Sequence, residues 1–157
     1  MGTRGAIGFY RNGTEKVAYN HFDSYPSGLG DTLVNWLKGK TYDELVAICD
    51  GIELTEDYVR GEGFSSAGFS NKFEDYHTFL HNSVFCQYAY IINLDERVVE
   101  FYIGDCNHNP YAKGRYAKFE SGFNKAYGVK LRRKMPLSKF LKGKVTVDVD
   151  KENFVIS

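Results

Sequence analysis

The chain has 157 residues, 20 basic against 20 acidic side chains, 43% apolar and 16% aromatic residues. That size fits one domain spanning 1–157 with a core large enough to need no staples, and the composition argues for a globular chain and against disorder. The neutral balance argues against a DNA or RNA binder held by excess positive charge, and no apolar run approaches the ~20 residues that cross a bilayer.

In chain order, Arg4 to Tyr10 reads as a strand, Asn12-Gly13 as a hairpin turn and Lys16 to Asn20 as the return strand. Gly5 and Gly8 suit close packing or the approach of something bound. A polar loop, His21 to Gly30, leads into helical spacing from Leu29 to Leu37, which should pack Trp36 onto the sheet. Thr41 and Glu44 form a capping box for a second helix, Tyr42 to Cys49. Asp50 to Ser70 reads as a long surface loop or lid, and Phe73, Tyr76, His77 and Leu80 give helical spacing over Asn71 to Leu80. Val84 to Leu94 and Arg97 to Ile103, joined at Asp95-Glu96, are the clearest strand pair, apolar on both faces and therefore central. Gly104 to Gly114 is a polar loop. Val129 to Met135 is another strand, Pro136 to Leu141 a short helix, and Lys144 to Val149 with Asn153 to Ile156 a last hairpin. The expected fold class is α+β: a mainly antiparallel sheet, or two stacked sheets, flanked by three or four short helices.

Cys49, Cys86 and Cys106 are odd in number and widely spaced, which argues against a disulfide framework and a zinc knuckle. A reducing cytosol fits them best, so a cytoplasmic location is expected, with no signal peptide. Twelve Tyr and twelve Phe exceed what a small core needs and suit a ligand pocket or a homo-oligomer interface as well. The charge is also uneven, acidic from Thr41 to Tyr76 and basic from Tyr111 to Lys144, which is either a statement about partners or two solvated surfaces.

Three stretches offer chemistry. In the first, glycines free backbone amides just before a helix start, which suits an anion, and His21, Asp23, Ser24 and Tyr25 add polar groups; Asp23 and Ser24 equally suit a plain turn before Pro26. No Gly-x-Ser-x-Gly or Walker motif is present, and no catalytic residue is assigned. In the second, His77 and His81 stand four apart but lack a third ligand, so no metal site or cofactor is expected. The third runs from Asn107 to Lys118, where rings alternate with Lys113, Arg115 and Lys118 as in sites that stack a base and hold its phosphates.

The opening Thr3-Arg4-Gly5-Ala6-Ile7-Gly8-Phe9, the segment His21-Phe22-Asp23-Ser24-Tyr25-Pro26-Ser27-Gly28-Leu29-Gly30, and the later Tyr88 to Asp95 with Val99-Glu100-Phe101-Tyr102 resemble a set of small uncharacterised phage and bacterial proteins, a resemblance that brings no activity. More distantly, the glycine-containing hairpin followed by a polar loop and helix is similar to the start of N-terminal nucleophile hydrolases, which implies two sheets flanked by helices. Their mechanism does not carry over, because removing Met1 exposes Gly2, and Thr3 stands one place too far in.

The leading expectation is a non-enzymatic pocket for a small phosphorylated or otherwise anionic, nucleotide-derived ligand, as a phage protein sequestering a defence signal in the host cytosol would need. Arg4, Lys113, Arg115 and Lys118 would hold its charge, and His21 and Tyr25 would orient it. On that view Arg115→Ala costs affinity and little fold. The rivals are a small hydrolase or transferase using His21 and Asp23, and a protein-binding inhibitor using the acidic segment 53–62.

Overall fold

The computed structural model describes residues 2–57, 64–65, 68–122 and 125–157. Strands β1 (Gly5–Arg11) and β2 (Thr14–Asn20) form an antiparallel hairpin. Asn12 and Gly13 at its turn both take positive φ, 53° and 74°, the left-handed pair that matches the twist of a two-residue hairpin. The Asp95 carboxylate accepts from the backbone N–H of Asn12 at 2.9 Å and of Gly13 at 3.3 Å, tying this turn to the next one along that end of the sheet.

A π-type turn, Pro26–Gly30, enters α1 (Asp31–Leu37), and α2 (Tyr42–Gly51) follows with the expected capping box: Glu44 N–H donates to Thr41 Oγ1 at 3.2 Å, and Thr41 N–H to Glu44 Oε1 at 3.1 Å. Then come β3 (Glu53–Thr55), β4 (Phe64–Ser65), β5 (Gly68–Phe69) and β6 (Lys72–Glu74). A 3₁₀ turn, His77–His81, precedes β7 (Tyr88–Asn93) and β8 (Val98–Ile103), and β9 (Lys130–Pro136), α3 (Leu137–Leu141), β10 (Val145–Asp148) and β11 (Asn153–Ile156) complete the chain.

Five strands make one sheet in the order β2-β1-β7-β8-β9. Only β1 and β7 run parallel; the other three pairings are antiparallel. The fold is α+β, and β7 is central as its two apolar faces require. On one face Ile7, Phe9, Tyr90, Ile92, Val99 and Phe101 are buried with Leu33, Leu37, Leu45, Phe140 and Phe154 from the helices and the β10–β11 hairpin. Trp36 meets the edge of Phe9 at 6.3 Å, so α1 packs onto the sheet as its spacing implies. On the other face Ala6, Val17, Ala89, Ile91 and Tyr102 lie beneath Leu80, Tyr116 and Val129.

Two sequence readings fail here for physical reasons. Asn71 to Leu80 is a strand and a 3₁₀ turn, not a helix: Phe73 enters the first core from β6, which pairs parallel with β3, whereas Leu80 enters the second core. The helical spacing thus joins residues that face opposite sides of the sheet. The strand expected from Val84 begins only at Tyr88, because Asn82 Oδ1 accepts from the N–H of Val84 (3.1 Å) and Phe85 (3.4 Å) and bends the chain into a turn. The lid reading of 50–70 falls partly outside the described residues; within them, 53–55 is strand rather than loop.

Candidate functional site

The loop from His21 to Gly30 is held mostly by itself. His21 Nδ1 and Tyr19 OH share a hydrogen bond at 2.6 Å, and Asp23 Oδ1 accepts from Tyr25 OH at 3.0 Å. Ser24 is fully buried: Asn20 Nδ2 donates to its Oγ at 2.8 Å, and its carbonyl accepts from Tyr90 OH at 2.8 Å. A Cβ on Gly28 would lie 2.1 Å from the Asp23 carbonyl, so this glycine is required by close backbone approach. An anion does sit against the amide of this turn, but the chain supplies it. Glu152, from the turn between β10 and β11, accepts from Ser27 N–H at 2.8 Å and from Ser27 Oγ at 2.5 Å.

The basic stretch divides likewise. Lys113 and Lys118 are exposed, and Lys118 Nζ lies over its neighbour Phe119 at 5.4 Å from the ring centre. Arg115 forks onto Glu100, donating from Nη1 to Oε2 at 2.9 Å and from Nη2 to Oε1 at 2.7 Å, with its guanidinium 3.9 Å from the Tyr10 ring centre. Although burial opposes its charge, the hydrogen bonds to Glu100 hold the Arg115 pKa above its ordinary value. Its carboxylate-matching fork is therefore occupied from within. Arg4 lies 5.6 Å from the Phe85 ring centre. Neither these loop residues nor Lys113, Arg115 and Lys118 line the cavity described below.

The two histidines have partners of their own. His77 Nδ1 lies 2.8 Å from Asp75 Oδ1, His81 stacks on Phe119 at 4.1 Å, and no group of three metal-ligating side chains occurs among the described residues.

What the fold does assemble is a cavity of about 520 Å³ at the end of the sheet where β7 starts, β8 ends and β9 starts, facing the β10–β11 turn. That volume suits a small ligand. The half-buried Tyr88 lines it as an aromatic wall, backed by the buried Phe101, on which it stacks at 6.2 Å and 10° between planes. Ser83 and Gln87 line it from the segment before β7, Asp105 and Cys106 from the turn after β8, and Arg132, Lys151 and Glu152 from the other side. Ser83 is 1% exposed, and its Oγ has no hydrogen-bond partner among the described residues; a buried hydroxyl left without one costs stability unless something else answers it.

Arg132 reaches the cavity through a β-bulge. Phe101 pairs with Arg133 and Tyr102 with Leu131, leaving Arg132 as the extra residue, and bulges re-aim side chains in this way. Among the described residues, Arg132 and Lys151 have neither an ion pair nor a side-chain hydrogen bond. Burial, then the charge of Glu152, raises the Tyr88 pKa, and Arg132 works against that rise, so both charges are felt at this ring.

The opposite wall is fixed by a glycine. A Cβ on Gly104 would meet the Cys86 carbonyl at 2.0 Å and the Ser83 carbonyl at 2.6 Å. Gly104 N–H donates to the Gln87 carbonyl at 2.8 Å and Cys106 N–H to the Ser83 carbonyl at 3.2 Å. Arg4 meets this segment through its carbonyl, which accepts from Gln87 N–H at 3.0 Å, and through its guanidinium over Phe85.

Sequence reasoning passed over Arg132, Lys151, Glu152, Ser83 and Cys106. An alternating strand reading of 129–135 cannot reveal a bulge, and nothing local marks Lys151 or Ser83 as cavity residues. No protein-family model, curated protein or solved structure matches the chain.

Proposed function

We propose that this chain is a non-enzymatic binding protein for a small anionic, nucleotide-derived ligand seated in the cavity at the end of the sheet. The observation that carries the reading is one ligand-sized space lined by Ser83, whose buried Oγ has no hydrogen-bond partner among the described residues, and by two cations unpaired among those residues, Arg132 and Lys151, while the acids of the same lining, Asp105 and Glu152, have partners of their own. A planar guanidinium suits a phosphate or carboxylate bidentately, and the Tyr88 ring suits a base or other flat ring. In the host cytosol of a phage, such a protein would act by holding a defence signal rather than by turning it over. Arg4 and the loop around His21 and Tyr25 border the same end of the sheet, and Lys113 and Lys118 define the competing seat.

Native mass spectrometry of the protein purified from cells identifies a co-purified mass, and release by denaturation returns that compound chemically unchanged. Calorimetric titration then locates it. Arg132→Ala weakens binding roughly ten- to hundredfold, the worth of a charge-assisted contact, and Arg132→Lys restores it only in part. Full affinity in Arg132→Ala and Lys151→Ala, with loss in Lys113→Ala and Lys118→Ala, places the seat on the 107–118 segment. A chemically altered product favours the hydrolase or transferase reading.

A further inference from the structure

Of the three thiols, two are closed off. Cys49 and Cys86 are buried, and burial pushes the Cys49 thiol up to about 11 and the Cys86 thiol higher still. Cys106 is exposed and lines the cavity. It stands in an unusual backbone setting: Asp105 and Cys106 are consecutive non-glycine residues at positive φ, 51° and 44°, a conformation such residues uncommonly adopt. The turn keeps it because Gly104 presses against the Cys86 and Ser83 carbonyls, and because Cys106 N–H and Gly104 N–H are both hydrogen-bonded to the 83–87 segment. The thiol is therefore carried on a fixed wall of the same space that Arg132, Lys151, Tyr88 and Ser83 line, the last with a buried hydroxyl that has no partner among the described residues.

We infer that Cys106 is a covalent modification site of this cavity and that it takes small anionic disulfides. The inference rests on the anion-binding reading of the cavity and adds to it a chemistry for the bound molecule. The Cys106 thiol gives its proton to solvent, and Sγ attacks one sulfur of the disulfide. The disulfide S–S bond breaks as a new S–S bond to Cys106 forms. The other half leaves as a thiolate and takes a proton from water. Cys106 is oxidised and the incoming disulfide, which is the oxidant, is reduced to a thiol. Arg132 and Lys151 favour the approach of a disulfide bearing carboxylate or phosphate groups, and the Tyr88 ring accepts an aromatic one.

The test compares two aromatic disulfides of different charge on the folded full chain: anionic dithiobis(nitrobenzoate) and neutral dithiodipyridine. Each rate is divided by that reagent's rate with a small free thiol, and the modified residue is identified by mass spectrometry. The expected result is one adduct, at Cys106, with the anionic reagent favoured by roughly tenfold or more. The preference disappears in Arg132→Ala, shrinks in Lys151→Ala and survives in Lys118→Ala, while Cys106→Ser and Cys106→Ala take no adduct in the folded state. Equal normalised rates, or a preference that persists in Arg132→Ala, overturn the anionic class and weaken the cavity reading with it. Labelling of Cys106 no faster than in the urea-unfolded chain, alongside calorimetric anion binding that still depends on Arg132, overturns the modification site alone.

Discussion

Arg115 and Arg132 come from the same basic stretch of sequence and meet opposite fates. Arg115 reaches across the second face of the sheet to Glu100, a carboxylate with no exposure, which also accepts from Tyr102 OH at 3.0 Å and Asn93 Nδ2 at 3.2 Å. Arg132 stands on a bulge in β9 and has no carboxylate partner among the described residues. The difference lies in the partner strands rather than in the arginines. Glu100 points into the second core because strand alternation puts Val99 and Phe101 in the first. A buried carboxylate there must be answered by a cation, and the fold spends Arg115 on it. Density of positive charge in a sequence is thus a poor guide to ligand binding; what matters is which cations remain after the buried acids are satisfied.

The largest effect that would break this comparison is on stability. Arg115→Ala removes both forks from Glu100 and leaves it only Tyr102 and Asn93, so unfolding in urea should show a loss of ~3–5 kcal/mol, the usual cost of stripping one partner from a buried ion pair. The lower end is expected, since 26% of the Arg115 side chain remains in water. Replacing the pair together, Arg115→Met with Glu100→Leu, should recover most of the loss, because no uncompensated charge is left behind. If Arg115→Ala melts like the parent and loses only ligand affinity, the assignment of Arg115 to the fold is wrong and the 107–118 segment regains its claim as the seat.

Much of the fold was legible, and the reasons are local. The Asn12-Gly13 turn, the Thr41/Glu44 cap and the doubly apolar β7 each carry their signal within a few residues. The failures needed partners far along the chain. Phe73 and Leu80 look like one helical face until the sheet separates them. The glycine-rich loop looks like an open anion seat until Glu152 arrives at Ser27. The cavity was not legible, since its lining residues Ser83, Cys106, Arg132 and Lys151 come from four separate segments. A lone Glu inside Val98 to Ile103 was the one available signal that a cation would be drawn away from binding.

A second, smaller effect sets the same two regions apart by pH. On the second face His81 stacks on Phe119 near Tyr116; burial, reinforced by nearby His77 and opposed by Glu15, lowers its pKa below its ordinary value. In the unfolded chain His81 takes up its proton as pH falls through about 6.5, while in the fold it stays neutral to lower pH. The unfolded state then binds more protons, so the stability present above that value begins to fall there and goes on falling until pH passes below the folded pKa. Melting temperatures followed from about pH 7.5 to 5.5 should show this decline in the parent and a shallower one in His81→Gln, which cannot titrate. Parallel curves would mean that His81 contributes nothing to the pH response.

The smallest stability effect belongs to Arg132, and its smallness is the informative part. Removing its guanidinium frees no buried acid, because Glu152 is held by Ser27 and Asp105 lies 3.5 Å from Lys130 Nζ. Its place on the bulge keeps it out of regular strand pairing, so its loss leaves the cross-strand pairs of β8 and β9 intact. Arg132→Ala should therefore unfold within about ±0.5 kcal/mol of the parent, even as its ligand affinity falls. A fully exposed cation without partners would show the same indifference, so the stability measurement gains meaning only beside the titration. Unchanged unfolding with weakened binding marks a residue held for the ligand. A loss of 2 kcal/mol or more, of the order of an ion pair broken in the interior, would show that Arg132 has an internal partner after all and that its contrast with Arg115 is false.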